Sequence, residues 1–138
     1  MTQNELNYSL SATSSSSEEG LINIRNNQLV FGATKNSELS SPAEMLTAAF
    51  AACCLKNIER FSTFMKFTYD HAEIEVVSTR QDRPPMIHKI NFDLVIYSDD
   101  AKINKELLLR NLQKFGTIYN TLNAVCEIEG DIRIEPKK

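Results

Sequence analysis

The residues of this 138-residue chain that could do chemistry most directly are two adjacent cysteines, Cys53 and Cys54. A cysteine acts as a nucleophile through its thiolate, which nearby positive charge favours. Lys56 follows Cys53 by three residues, so the two could share a helix face, although such a lysine is also typical of a solvated surface. Both cysteines lie in an apolar stretch, where cysteine is common as a small buried hydrophobe. These residues alone leave open a reactive thiol and a structural one.

The other candidate residues favour structural roles. Cys126 falls on the inward-facing parity of a predicted last strand, which is typical of a core position. His71 and His88 share no metal-ligand spacing with each other or with the cysteines, and a zinc site needs about four such ligands. The four glycines are isolated, so none forms a phosphate-binding loop. We therefore expect no metal and no cofactor.

Composition and charge narrow the classes of function. With 42% hydrophobic and 24% charged residues, the chain has the composition and length of one globular domain. Its 15 basic and 18 acidic residues are interspersed, whereas nucleic-acid binding usually needs a basic face. The longest mostly apolar stretch, residues 45–55, is shorter than the roughly 20 residues that span a bilayer. We expect a single domain over residues 1–138, with no nucleic-acid or membrane partner.

Cysteine usage and the first residues indicate the compartment. Three cysteines, two of them adjacent, do not form a disulfide framework, which favours a reducing compartment. The N-terminal residues carry neither the basic segment nor the apolar core of a signal peptide. The sequence therefore predicts a soluble cytoplasmic protein.

A long helix must position the two adjacent cysteines. Ser41 can cap its start, Pro42 suits the first helical position, and Glu44 completes a capping box. The helix is predicted to run to about Phe64, and Phe64 and Met65 should fill the core at its end. As far as Leu55 its apolar residues surround the helix, and a helix that is apolar on all sides is buried.

The remaining elements follow from hydrophobic periodicity. Alternating apolar and polar residues, or short apolar runs, predict six strands, over residues 4–11, 21–25, 28–31, 71–76, 89–96 and 125–135. A turn at Asn26-Asn27 joins the second and third strands, because asparagine tolerates positive φ. A second helix covers Asn104 to Phe115 and stops at Gly116, with a short helical turn over residues 118–123. The order β-β-β-α-β-β-α-β is an α+β pattern.

Two segments resemble the OsmC/Ohr family, which comprises osmotically inducible protein C and the organic hydroperoxide resistance proteins. Residues 41–53, S-P-A-E-M-L-T-A-A-F-A-A-C, resemble the family's stretch N-P-x-E-L-L-x-A-A-x-A-A-C. Asn120-Thr121-Leu122 matches the end of its C-P-V-S-x-T-L motif, with Tyr119 in place of the serine. The element order also agrees, so the resemblance covers about residues 21–134. It implies an α+β fold in which two chains intertwine into a homodimer with buried central helices.

The resemblance also implies site residues. Active family members are thiol peroxidases: one cysteine attacks an organic hydroperoxide, becomes a sulfenic acid and then forms a disulfide with a second cysteine. Cys53 falls on the attacking position and Gly116 on that of the resolving cysteine. The family's activating glutamate corresponds to Ala43, with Glu44 next to it as a candidate activating carboxylate. Its activating arginine corresponds to Glu18, a reversed charge.

Two functions follow, and a purely structural interaction role also stays open. The first is an OsmC-like redox protein of oxidative stress that reduces organic hydroperoxides through Cys53 alone. An external thiol, or else Cys126, would then resolve the sulfenic acid. The alternative is a non-catalytic dimer that binds a small apolar ligand in a pocket at its interface, with Phe50, Cys54 and Lys56 as candidate binding residues.

Overall fold

The computed structural model describes residues 6–137, and within that part the chain forms six strands and three helices. In chain order they are β1 (Ser11–Ser14), β2 (Gly20–Ile24), β3 (Asn27–Phe31), α1 (Pro42–Phe64), β4 (His71–Asp82), β5 (Pro85–Tyr97), α2 (Lys105–Phe115), α3 (Thr117–Asn123) and β6 (Glu127–Glu135). This order confirms the α+β prediction, with α3 as the short helical turn expected after Gly116. The chain forms two compact units that divide between Met45 and Leu46.

The first unit contains an antiparallel sheet of β1, β2 and β3. The strand predicted over residues 4–11 is wrong: residues 4 and 5 lie outside the described part, and residues 6–10 form no strand. Alternation indicates a strand only where one face is covered. The apolar residues of this segment, Leu6, Tyr8 and Leu10, are all exposed. The observed strand β1 therefore begins later, at Ser11, which pairs with Asn23.

The turn between β2 and β3 lies one residue earlier than the sequence predicts. Ile24 pairs with Asn27, so the two turn residues are Arg25 and Asn26. Arg25 carries the positive φ, 53°. The asparagines thus identified the region of the turn correctly. Strand pairing, however, sets which residue adopts the positive φ.

The second unit contains a sheet with the order β4-β5-β6. β4 and β5 form an antiparallel hairpin joined at Arg83-Pro84, and both strands are longer than the segments predicted from alternation. β6 pairs with β5 in parallel. A parallel pair needs a crossover connection, which α2 and α3 supply between the two strands. This topology makes β5 the central strand, where Ile90, Leu94 and Ile96 are buried.

Helix α1 contributes one face to the core of this unit. Its residues Phe50, Cys54, Ile58 and Phe61 are buried at helical spacing. They belong to one cluster with residues of β5, α2 and β6, among them Ile90, Leu94, Leu108, Leu112 and Ile132. Ala48 and Ala52, in contrast, are exposed. A single chain therefore covers one face of α1, and the predicted burial on all sides is not observed within it.

Of the two residues predicted to fill the core at the end of α1, Met65 packs against the core cluster, but the prediction for Phe64 is wrong. This last residue of α1 is 70% exposed, while Phe61, one turn earlier, is buried. The guanidinium of Arg60 lies 5.4 Å from the centre of the Phe64 ring and 5.6 Å from that of Phe115. Phe64 is thus covered in part by a cation above its ring, a contact favoured by the ring's negative face.

Candidate functional site

Among the chain's three cysteines, burial singles out Cys53. Cys53 is partly exposed, whereas Cys54 and Cys126 are buried. Burial raises the pKa of Cys54 to about 12, and the neighbouring Cys53 adds to the shift. Because the thiolate is the nucleophilic form, Cys54 is unreactive near neutral pH. The site is therefore centred on Cys53.

The helix that carries Cys53 starts at the predicted capping box. The backbone N–H of Ser41 donates to a carboxylate oxygen of Glu44 at 2.9 Å, and the N–H of Glu44 donates to Ser41 Oγ at 3.2 Å. Hydrogen bonds to its carboxylate from the backbone and the side chain of Ser41 lower the pKa of Glu44. The structure thus gives the Glu44 carboxylate a capping role, and its activation of Cys53 stays a prediction.

Gly116 lies directly against Cys53. A Cβ built on Gly116 would be 3.4 Å from Cys53 Sγ, so the fold brings together the two positions that the sequence motifs paired. The same Cβ would be only 2.8 Å from the carbonyl oxygen of Leu112 and 2.9 Å from Tyr119 Cβ. Glycine thus permits the close turn between α2 and α3. The family resemblance assigns the resolving cysteine to this position. This chain has glycine there, so backbone rather than a second thiol lies beside Cys53.

Asn57 is a site residue that sequence reasoning missed. It lies one helical turn after Cys53 on α1 and is 7% exposed. Its Nδ2 donates to the backbone oxygen of Cys53 at 2.8 Å and lies 3.5 Å from Cys53 Sγ. The sequence did contain a signal for Asn57: it is an amide residue four positions after a cysteine, on the apolar face of a predicted helix.

Phe50 and Lys56, the other candidate binding residues, differ in burial. Phe50 is fully buried, and its ring centre lies 5.7 Å from those of Phe92 and Tyr119. Lys56 is exposed on α1. Phe50 therefore packs in the core below the site, whereas the Lys56 ammonium is in solvent.

Cys126 does not lie on the last strand as predicted. β6 begins at Glu127, and Cys126 is buried in the turn before it. Its Sγ donates to the carbonyl oxygen of Ile87 at 3.3 Å. Burial also raises the pKa of the Cys126 thiol. A buried, hydrogen-bonded thiol of this kind is suited to a structural role.

A cavity of about 280 Å³ lies between α1 and α2. It is lined by Arg60, Phe61, Phe64, Asn111 and Phe115. The rings of Phe61 and Phe115 have their centres 6.3 Å apart. Because Phe115 precedes Gly116, and Phe61 lies one turn beyond Asn57, the cavity follows the same helix contact as Cys53. It is a mainly apolar space with one cationic wall.

Two further features bear on function. No group of three or more His, Cys, Asp or Glu side chains within residues 6–137 is arranged to hold a metal ion. Across the same part of the chain, every helix is too short or too polar to cross a membrane.

The chain was compared with known families and structures. The family model described as OsmC-like protein matches residues 35–130. An OsmC-like protein from Mycoplasma pneumoniae is 16% identical with a TM-score of 0.77, over 98% of this chain and 100% of that one. The organic hydroperoxide resistance protein OsmC of Legionella pneumophila is 12% identical with a TM-score of 0.72, over 94% and 99% of the two chains.

A third structure, the organic hydroperoxide resistance protein OhrB of Bacillus subtilis, is 15% identical with a TM-score of 0.62, over 91% of this chain and 98% of that one. No curated protein sequence gives a significant match. At these identities the solved structures establish a shared fold.

Proposed function

This chain belongs to the OsmC-like protein family, and from that premise we propose that it reduces organic hydroperoxides with Cys53 as its one catalytic thiol. Family membership and the hydroperoxide resistance proteins among its structural neighbours support a redox or peroxide-resistance role in general. The observation that carries the specific proposal is the exposure of Cys53 beside Gly116, with the other two cysteines buried.

The reaction begins at the Cys53 thiolate. The sulfur attacks the outer oxygen of the hydroperoxide, an S–O bond forms and the O–O bond breaks. The departing alkoxide takes a proton and leaves as an alcohol, while the sulfur is oxidised to a sulfenic acid. The cavity of about 280 Å³, which begins about two turns beyond Cys53 on α1, offers mainly apolar space for the organic part of such a substrate.

An external thiol completes the cycle. Gly116 has no sulfur, and the Cys126 thiol is buried and hydrogen-bonded to the carbonyl oxygen of Ile87. An incoming thiol attacks the sulfenic acid, forms a mixed disulfide with Cys53 and releases water. A second external thiol then attacks the mixed disulfide, which regenerates the Cys53 thiol and leaves the external disulfide as the oxidised product.

The protein is proposed to act as a homodimer. Ala48 and Ala52 form an exposed apolar strip on α1, the helix that carries Cys53. Small side chains permit close packing of another helix. A second copy of the chain covering this strip would complete the burial that the sequence of α1 predicts.

Apolar ligand binding without catalysis is the second candidate function. The aromatic cavity at Phe61, Phe64 and Phe115 favours it, because such a space could hold a ligand whether or not Cys53 reacts. Under this reading Cys53 would be chemically inert toward peroxides.

One experiment separates the two candidates. Reduced protein is treated with stoichiometric cumene hydroperoxide and dimedone, which traps sulfenic acids, and the modified residue is located by mass spectrometry. We expect trapping at Cys53 within minutes, its loss in Cys53→Ser and its retention in Cys54→Ser. With dithiothreitol in excess, wild-type protein should consume many equivalents of peroxide. Absence of any modification at Cys53 would reject the peroxidase proposal in favour of ligand binding.

A further inference from the structure

The buried side-chain amide of Asn57 contacts the sulfur of Cys53. Asn57 shares the core-facing side of α1 with Cys54, Ile58 and Phe61. Burying a primary amide is unfavourable unless it is hydrogen-bonded. Its partners belong to a single residue, Cys53, through the backbone oxygen at 2.8 Å and Sγ at 3.5 Å.

The bond to the backbone oxygen uses only one of the two amide hydrogens. In an α-helix the oxygen of Cys53 already accepts the backbone N–H of Asn57. The second hydrogen of Nδ2 is available to Sγ, which lies within hydrogen-bonding range for sulfur. The Asn57 amide therefore donates to both acceptors of Cys53, the backbone oxygen and Sγ, and fixes the position of Sγ.

We propose that Asn57 is a positioning residue that stabilises the Cys53 thiolate by donating an amide hydrogen to Sγ. The inference rests on the proposed function, since it concerns the ionised sulfur that attacks the hydroperoxide. Hydrogen bonds to an ionised acceptor are about twice as strong as neutral ones, and a buried setting strengthens them further. The amide thus favours the thiolate over the thiol.

The charged and titratable groups of α1 and α3 are placed so that the amide, rather than one of them, stabilises the thiolate. On α1, Lys56 is exposed, and Arg60 lies over the rings of Phe64 and Phe115. Cys54 on α1 and Tyr119 on α3 are buried and stay neutral at pH 7. A neutral donor in contact with Sγ therefore provides the stabilisation that a cation would provide elsewhere.

The test is the pH dependence of Cys53 alkylation, measured without peroxide. Iodoacetamide labelling of Cys53 is followed by mass spectrometry from about pH 5 to about pH 10. In Asn57→Leu we expect the midpoint of the profile to rise by about one pH unit, which lowers the rate at pH 7 about tenfold. In Asn57→Asp the midpoint should rise further, because a carboxylate would face the thiolate.

Asn120→Leu provides the matched control. Asn120 is exposed and also donates its Nδ2 to a backbone oxygen, that of Lys114 at 3.3 Å, so the same substitution removes an amide hydrogen bond that does not involve Cys53. Its profile should match that of the wild type. Circular dichroism would detect a loss of folding in either Asn57 variant: Asn57→Leu avoids a buried charge, and Asn57→Asp keeps nearly the shape of asparagine. An unchanged midpoint in a folded Asn57 variant would overturn the inference.

Failure of the two proposals is distinguishable. If Cys53 reduces peroxide but Asn57 variants keep the wild-type alkylation profile, the role of Asn57 is rejected and the proposed function stands. If the profile shifts as expected but Cys53 is never oxidised by hydroperoxide, the thiolate contact is established and the peroxidase reaction is rejected.

Discussion

Cys53 and Cys54 are neighbours in the chain, yet the helix gives them different environments. Each residue of an α-helix is rotated by about 100° from the previous one. This rotation places Cys54 in the core with Phe50 and Ile58, and Cys53 at the edge, beside Asn57 and Gly116. Adjacent thiols of identical chemistry are thus separated by burial into one that can react and one that packs.

The raised pKa of Cys54 predicts a loss of stability in alkaline solution. The unfolded thiol loses its proton near pH 9, whereas the folded one keeps it up to about pH 12. This contribution to the free energy of unfolding is fully present below about pH 9 and is lost as the pH rises toward 12. The slope approaches about 1.4 kcal/mol per pH unit above pH 9.

Urea unfolding at several pH values measures this effect. Between about pH 8 and about pH 10, wild-type stability should fall more steeply than that of Cys54→Ala. The other thiol and phenol groups with raised pKa values, Cys126, Tyr69 and Tyr119, are present in both proteins and do not affect the difference in slope. Cys54→Ala is less stable at pH 7 because it loses buried volume, so the comparison is of slopes rather than of absolute values. Parallel slopes would contradict the prediction.

The elements that build the site differ in how far the sequence predicts them. The capping box set the start of α1 correctly because its signal is local: Ser41 and Glu44 bond to each other. Gly116 was likewise predicted as the end of α2. The direction of the Asn57 side chain, in contrast, depends on which face of α1 the sheet and α2 cover. Spacing along the chain does not contain that information, so Asn57 was missed.

Cys126 shows the same limit at a strand end. Periodicity predicted it as an inward-facing strand residue, and the burial was correct. The strand starts at Glu127, two residues after the predicted start at Val125, because strand bounds follow from pairing and β6 pairs with β5 only from Glu127, opposite Lys89. The family resemblance supplied the position of Gly116 relative to Cys53, which no local pattern could have given.

Substitution of Gly116 by cysteine tests the contact between α1 and the α2–α3 turn. We expect Gly116→Cys to form a disulfide with Cys53 on mild oxidation, because the 3.4 Å from Cβ to Cys53 Sγ is close to the ~3 Å of a disulfide. The loss of two hydrogen masses in intact-mass spectrometry would report it.

The reduced form of this variant should be destabilised. Its Cβ would meet Leu112 and Tyr119 at less than 3 Å, so overpacking of about 1–3 kcal/mol is expected in thermal or urea unfolding. Gly116→Ala, which adds the Cβ without the sulfur, should show the same cost and no disulfide. A fully stable Gly116→Ala would mean that the turn is looser than the structure indicates.

At the scale of the whole molecule, one chain leaves apolar surface on its central helix. Ala48 and Ala52 are exposed on α1, and Leu46 near its start is 39% exposed. Ala48 and Ala52 are one helical turn apart, so they lie on one side of α1 and offer a surface on which a second chain can pack. The dimer proposed above gives this surface a partner and would place two Cys53 sites in one assembly.

Light scattering after size exclusion tests the assembly. Wild-type protein should have twice the 15.6 kDa mass of the chain. Ala52→Glu should shift the population toward the mass of one chain, because a carboxylate buried without a partner costs several kcal/mol. Thr79→Glu, which adds the same charge to an exposed position of β4, should remain dimeric. A wild-type protein of single-chain mass would refute the dimer.

The glycine beside Cys53 also bears on how this protein could evolve. Glycine and cysteine codons can differ by a single base, so one mutation could give the chain a second thiol at the site. The new Cβ would then be crowded against Leu112 in every copy of the protein, in the presence or absence of peroxide. A cost of about 1–3 kcal/mol lowers the free energy of unfolding without abolishing folding. The route from one thiol to two therefore carries a stability penalty, which compensating changes in the turn between α2 and α3 would relieve.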